Sequence, residues 1–200
     1  MSDIKISTIY DHYKDSYCIV SEAVKRRDRL MIYVLIALAF LAFQVVLPNE
    51  SKIAVNNFLN FKFGFAFEFN LSVIGCLAWF LLLVFALRYF QTAVFVERQY
   101  PYIHKIEEEI NKEFNNEGMI TREGKSYLSD YPWFSNWMWA IYTIVFPFLS
   151  LLVITEKILG ELKNAIINRW SLSFSLDVVA YIILTVSIIL YLLVLHKRVK

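Results

Sequence analysis

The chain is short of charge. Asp, Glu, Lys and Arg make up 19% of its 200 residues, against about 25% in an ordinary soluble domain. The shortage is concentrated: 30–47, 71–87, 133–154 and 178–195 hold no charged residue at all. Cysteine is scarce too, with only Cys18 and Cys76. Two thiols make no disulfide framework, and a cytosolic thiol stays reduced. A Gly-rich phosphate loop and a nucleophile motif are both missing, which removes the common nucleotide-hydrolysing and acyl-transfer signatures.

What fills the space is apolar. Hydrophobic residues are 58% of the chain and the mean hydropathy is +0.49. Each uncharged run is at or near the ~20 residues that carry an α-helix across ~30 Å of hydrocarbon. Backbone groups in lipid must bond within their own segment, so the runs are expected as helices. The fold class read from this is an all-α membrane protein of four transmembrane helices, with cytoplasmic helical extensions and a short extracytoplasmic β-hairpin. The expected divisions are a cytoplasmic amphipathic helix (1–29), two spans with an outer hairpin (30–96, hairpin 52–69), a cytoplasmic helix and return loop (97–132), two more spans with an outer interfacial segment (133–195, segment 156–170), and a tail (196–200).

Lys and Arg set the orientation. Segments 1–29, 97–132 and the tail from 196 hold 14 of them, and the 48–70 and 155–176 connections hold five. The positive-inside rule then places both termini in the cytoplasm of a bacterial inner membrane, with the first span as a signal-anchor. Trp133, Trp137 and Trp139 mark the inner boundary of the third span and Trp170 the outer boundary before the fourth.

In the N-terminal segment Ile6, Tyr10, Tyr13, Tyr17, Val20 and Val24 follow helical steps of three and four. Such a seam packs either on the second cytoplasmic segment of the same chain or on another copy, with Tyr13 and Tyr17 as contact residues. In the second segment Pro101 is expected to break or kink the helix. Beyond it Ile103, Ile106, Ile110 and Phe114 share a face.

Chemistry in these segments is thin. His12 lies between Asp11 and Asp15, a base-and-orienter spacing that more often marks a surface histidine. His104 with Glu107 and Glu108 has metal-like spacing but no further His or Cys. The chain is read as no enzyme, with no cofactor and no metal.

One stretch departs from the helical pattern. Phe61, Phe63, Phe65, Phe67 and Phe69 occupy alternate positions, the period of a strand. Asn56-Asn57 upstream suits a tight turn. The reading is a hairpin over 52–69 on the outer face, its Phe face covered by lipid headgroups, by 156–170 or by neighbouring copies. Phe63, Phe65 and Phe67 are then oligomer contacts. The alternative is that 63–70 starts the second span. Ile158, Leu162 and Ile166 give 156–170 the pattern of a short interfacial helix.

Inside the spans the polar residues are mild. Gln44, Cys76, Thr143, Ser150, Thr185 and Ser187 are pore-lining candidates or helix-to-helix glue, and Asp177 stands near the outer start of the fourth span. No ionisable residue is read at mid-depth, which counts against an ion-coupled transporter.

Three runs carry a resemblance: VERQYPYIHKIEEEI (96–110), TREGKSYLSDYPWFSNW (121–137) and YTIVFPF (142–148). Together they resemble small multi-pass effectors of bacterial antiphage defence, the Hailong-type ion channels, over about residues 94–148. The resemblance implies a homo-oligomeric channel, such as a tetramer, that depolarises the inner membrane in abortive infection. It also implies a regulatory nucleotide or oligonucleotide in the cytoplasm. Arg26, Arg27, Arg29, Arg122 and Lys125 could meet its phosphates, or serve only as positive-inside anchors. Arg98 and His104 have the spacing of HEPN-type ribonucleases, but Pro101 stands between them. A non-conducting membrane adaptor or sensor and a small transporter are the other function classes.

Overall fold

The computed structural model describes residues 2–64, 71–114, 133–168 and 170–196, and no strand occurs among them. The helices are α1 (Ser2–Val46), α2 (Pro48–Phe63), α3 (Leu71–Glu113), α4 (Trp133–Ala140), α5 (Phe146–Asn168) and α6 (Leu172–His196). A π-helical turn, Ile141–Val145, joins α4 to α5. Pro147 has no N–H to offer the carbonyl four residues back, so a wider turn suits this position.

Four helical stretches are long and apolar enough to cross a membrane: Ile6–Val46, Ser72–Glu113, Ile141–Ile167 and Leu172–Val194. The protein is a multi-pass membrane protein of α-helices. The first two stretches, of 41 and 42 residues, measure about 60 Å at 1.5 Å per residue, roughly twice the hydrocarbon thickness.

The chain divides into two compact units, Met1–Arg29 with Tyr89–Tyr142 and Leu30–Arg88 with Thr143–Lys200. In the first unit, α1 and α3 meet through Tyr13, Val20, Ile103, Ile106 and Ile110, with Ile9 and Val24 packed alongside. The N-terminal helix thus packs on the second segment of its own chain. Its buried line runs Tyr13, Ser16, Val20, Ala23, and Tyr10, expected on the seam, is 49% exposed. Of the expected break or kink at Pro101, the break does not occur, because α3 runs through it. An interior proline costs about 3 kcal/mol. Burying Ile103, Ile106 and Ile110, at about 1.5–3 kcal/mol for each side chain, offsets that.

In the second unit each long helix buries one line of side chains: Val34, Leu38, Leu41 and Gln44 on α1, Ala78, Trp79, Leu82 and Ala86 on α3, Ser150, Ile154 and Ile158 on α5, and Phe174, Asp177, Ala180, Leu184, Ile188 and Tyr191 on α6. α5 and α6 pack against each other. Outward-facing positions are apolar, including Leu35, Ile36, Phe80, Leu152, Ile182 and Leu190.

Two expectations for the connections change. Residues 52–63 of the expected hairpin are helix, within α2. Pro48 opens that helix at a position where its missing N–H costs nothing, and Glu50 and Lys62 suit the two ends of its dipole. Gly64 closes it at φ 68°, its N–H donating to the Asn60 carbonyl at 2.9 Å. Asn56-Asn57 therefore lies in mid-helix, and Phe61 is 85% exposed. Phe63 ends the helix, and Phe65, Phe67 and Phe69 lie outside the described residues. The second change is at 156–170, where no separate interfacial helix forms, because α5 continues unbroken to Asn168.

Candidate functional site

The continuation of α5 places a lysine and a glutamate inside the second unit. Lys157 and Glu161 stand one turn apart and form an ion pair, Nζ to Oε1 at 3.1 Å, with side chains 14% and 19% exposed. Asp177 on α6 is 4% exposed. It lies near Cys76 on α3 and near Lys157 and Glu161 on α5. From α1 comes Gln44, also 4% exposed. Gly75 shows where its amide points: a methyl group at that glycine would stand 3.4 Å from Gln44 Oε1 and 3.8 Å from Lys157 Nζ. Four helices thus contribute to one cluster.

The cluster belongs to one end of the unit. Gln44 is two residues before the end of α1 (44 against 46), and Glu161 is seven before the end of α5 (161 against 168). Cys76 and Asp177 each lie five residues after the start of their helices (76 against 71, 177 against 172). Antiparallel helices bring these positions together about 3–10 Å in from the helix ends, at 1.5 Å per residue.

Polar atoms here outnumber their partners. Gln44 Oε1 and Nε2, Glu161 Oε2 and Asp177 Oδ1 are buried without a hydrogen-bond partner, as is Trp79 Nε1 one turn beyond Gly75. Unsatisfied buried groups are uncommon and costly, and their gathering at one place asks for an explanation. One turn past Asp177, the Tyr181 hydroxyl lies 3.3 Å from Thr155 Oγ1. Tyr181 also stands edge-on to Trp79, ring centroids 6.5 Å apart.

Of the pore-lining candidates, Gln44 and Cys76 join this cluster. Thr143 and Ser150 are buried along the line that leads into α5. Ser150 Oγ donates to the Phe146 carbonyl at 2.8 Å, and Ser187 Oγ to the Ile183 carbonyl at 2.6 Å, so both hydroxyls serve their own helix. Thr185, eight residues beyond Asp177, has a buried hydroxyl with no partner. Lys157 and Glu161 were missed as site residues. Their signal was the i, i+4 spacing of opposite charges within a run still apolar at Ile158, Leu159 and Leu162.

In the first unit, the Tyr13 hydroxyl donates to Glu107 Oε1 at 3.0 Å, and Tyr17 stacks on Tyr13. Glu107, 2% exposed, faces α1 while Glu108 is exposed. His12 pairs with the Tyr102 hydroxyl. The described residues contain no group of three or more His, Cys, Asp or Glu placed to hold a metal ion. Among the basic candidates, Arg26 lines a shallow groove with Glu22, Gln91 and Thr92, Arg27 pairs with Asp28 at 2.9 Å, and Arg29 is exposed. Arg122 and Lys125 lie outside the described residues. Comparison of the chain with known protein families, curated proteins and solved structures gave no match.

Proposed function

We propose that the chain is a homo-oligomeric ion channel of a bacterial inner membrane, an effector of antiphage defence that depolarises the membrane when a cytoplasmic signal releases it. The observation that carries the ion-handling part is the cluster of Lys157, Glu161 and Asp177 inside a unit whose outward face is apolar. Ionisable groups held at membrane depth are expensive and mark ion or proton pathways. Four packed helices enclose little free space, so conduction calls on several copies, such as a tetramer. The defence role rests on the resemblance of 96–110, 121–137 and 142–148. The exposed Arg26 and Arg29, with Arg122 and Lys125, suit a phosphate-bearing regulator.

A second reading, a small transporter, gains from the same cluster, because coupled transport uses buried ionisable residues. Purified protein in planar bilayers separates the two. A channel passes current with no added solute, whereas a transporter moves charge only with its substrate. In cells, expression without the regulator depolarises the inner membrane, read by a voltage-sensitive dye. Toxic expression with no dye response removes the channel reading and leaves a non-conducting adaptor. Cysteines placed at Asn49 and Asn164 test the orientation: both label from outside the intact cell if the termini are cytoplasmic.

A further inference from the structure

We propose that Gly75 marks a water-binding site inside the second unit, where one water molecule bridges the Gln44 amide on α1 and the Lys157 ammonium on α5. The inference goes beyond the channel reading and does not depend on it. It concerns what ties α1 to the rest of the unit.

The geometry at Gly75 carries the proposal. The glycine is buried, and without a side chain it leaves a bare place on α3. A methyl group there would stand 3.4 Å from Gln44 Oε1 and 3.8 Å from Lys157 Nζ. At Gly64 and Gly160 the same position meets nothing within 4 Å, so the polar wall is particular to Gly75. Oε1 and Nζ come from different helices, and their separation cannot exceed the sum of the two distances to that methyl. Yet neither end of the Gln44 amide has a hydrogen-bond partner among the described residues, although the side chain is only 4% exposed. The two atoms are therefore neighbours without a direct bond. A water about 2.8–3.0 Å from each partner bridges atoms that stand up to about 6 Å apart.

The chemistry of the two groups selects water. The Lys157 ammonium has three N–H donors and no acceptor. Among the described residues those donors meet one acceptor, Glu161 Oε1 at 3.1 Å. Gln44 Oε1 only accepts. One water accepts from Nζ and donates to Oε1, so both are satisfied at once. If the amide turns its NH₂ to the site instead, the same water accepts from it as well. Buried waters characteristically bond to groups that otherwise go without, and a dry amide away from water is costly. A cation is repelled by the Lys157 ammonium, and an anion finds that charge already balanced by Glu161. Helices in lipid associate through polar contacts of this kind, and the bridge gives α1 one to α5.

The test uses the full chain in lipid bilayers with ¹⁵N-labelled glutamine, which marks only Gln44, Gln91 and Gln99. Water-edited solid-state NMR reads the transfer of magnetisation from water to each side-chain amide. The exposed Gln91 is the positive control. In wild type the Gln44 amide is expected to receive the water signal although it is buried. Absence of that transfer overturns the proposal without any substitution. Gly75→Ala puts a methyl group at the site, and its contacts of 3.4 and 3.8 Å are ordinary van der Waals distances, so the fold accommodates it. The variant should reduce transfer to Gln44 severalfold and leave Gln91 unchanged. Transfer to Gln44 that persists in Gly75→Ala overturns the proposal. Thermal unfolding gives a second readout. Gly75→Ala should lower the midpoint although alanine is the better helix former, and Gly75→Ser, whose hydroxyl can replace the water, should recover it. An alanine that raises the midpoint means a dry gap filled by the methyl, and rejects the water. A Gln44 signal that shifts when chloride is replaced by gluconate makes an anion the occupant and rejects it too.

Discussion

In the first unit Asp11, Lys14, Asp15, Glu22 and Lys25 face outward, and Val20, Ile103 and Ile110 are shut in. In the second, Leu35, Ile36, Phe80 and Ile182 face outward, and Gln44, Ser150 and Asp177 are shut in. One chain thus lays two different surfaces, one charged and one apolar, over two largely apolar cores built from the same secondary structure. The difference follows from the surroundings each surface has to meet. Water rewards burial of apolar side chains. Lipid gives no such reward, and helices inside it associate by close packing and by polar contacts instead. Both units keep a largely apolar core with a few polar groups in it, and they differ in what they turn outward.

Substitutions at matched positions put magnitudes on this inversion. The largest effect is expected for Ile103→Asp, which buries an unpaired charge in the first unit at a cost on the order of 5 kcal/mol or more. Limited proteolysis of membrane-inserted protein should then cut within 2–29 and 89–113. Ile36→Lys comes next. It is an exposed position of the second unit, yet a lysine near the middle of a span costs about 2.5–3.5 kcal/mol, read as a fall in the inserted fraction. Lys14→Ile, equally exposed but in the first unit, should stay within about 0.5 kcal/mol. Equal penalties for the two would mean that both surfaces meet the same medium.

Tyr13→Phe removes the donor to Glu107 Oε1 and leaves that oxygen buried. The expected loss is about 1–3 kcal/mol in thermal unfolding of the first unit. A somewhat smaller effect is expected at Gly64, whose φ of 68° strains any side chain. Gly64→Ala should cost about 1–2 kcal/mol, seen as faster hydrogen exchange in the last turn of α2.

The spans were legible because length without charge is a one-dimensional signal. The seam of the first unit was legible in part. Tyr13 and Val20 stood out, but Ser16 and Ala23 complete the buried line, and small or hydroxylated residues do not announce themselves as apolar. Over 52–63 the alternation of Phe61 and Phe63 outweighed the stop signals around it. Pro48 and Gly64 bracket a helix of 16 residues, and termini of that kind are firmer evidence than a short period-two run. The ionisable cluster was hidden for a different reason. Lys157, Glu161 and Asp177 read as the polar end of a span and its loop, because what surrounds them on the other helices is not visible in the local sequence. The neighbours on other helices, Cys76 and Gln44, are far away in sequence.

The connection between α5 and α6 spans only residues 169–171. Ser171 Oγ accepts the Phe174 N–H at 3.2 Å, and Trp170 Nε1 donates to Ser175 Oγ at 2.7 Å. This closure bears on how the chain enters the bilayer during synthesis. Taken singly, α5 would carry an ion pair and α6 a lone carboxylate through the translocation machinery. Taken as a hairpin, they arrive with Asp177 already near the Lys157–Glu161 ion pair. The last two spans are then a single unit of insertion, and delaying Asp177 by lengthening the connection between α5 and α6 should leave α6 on the wrong side of the membrane before it leaves α5 there.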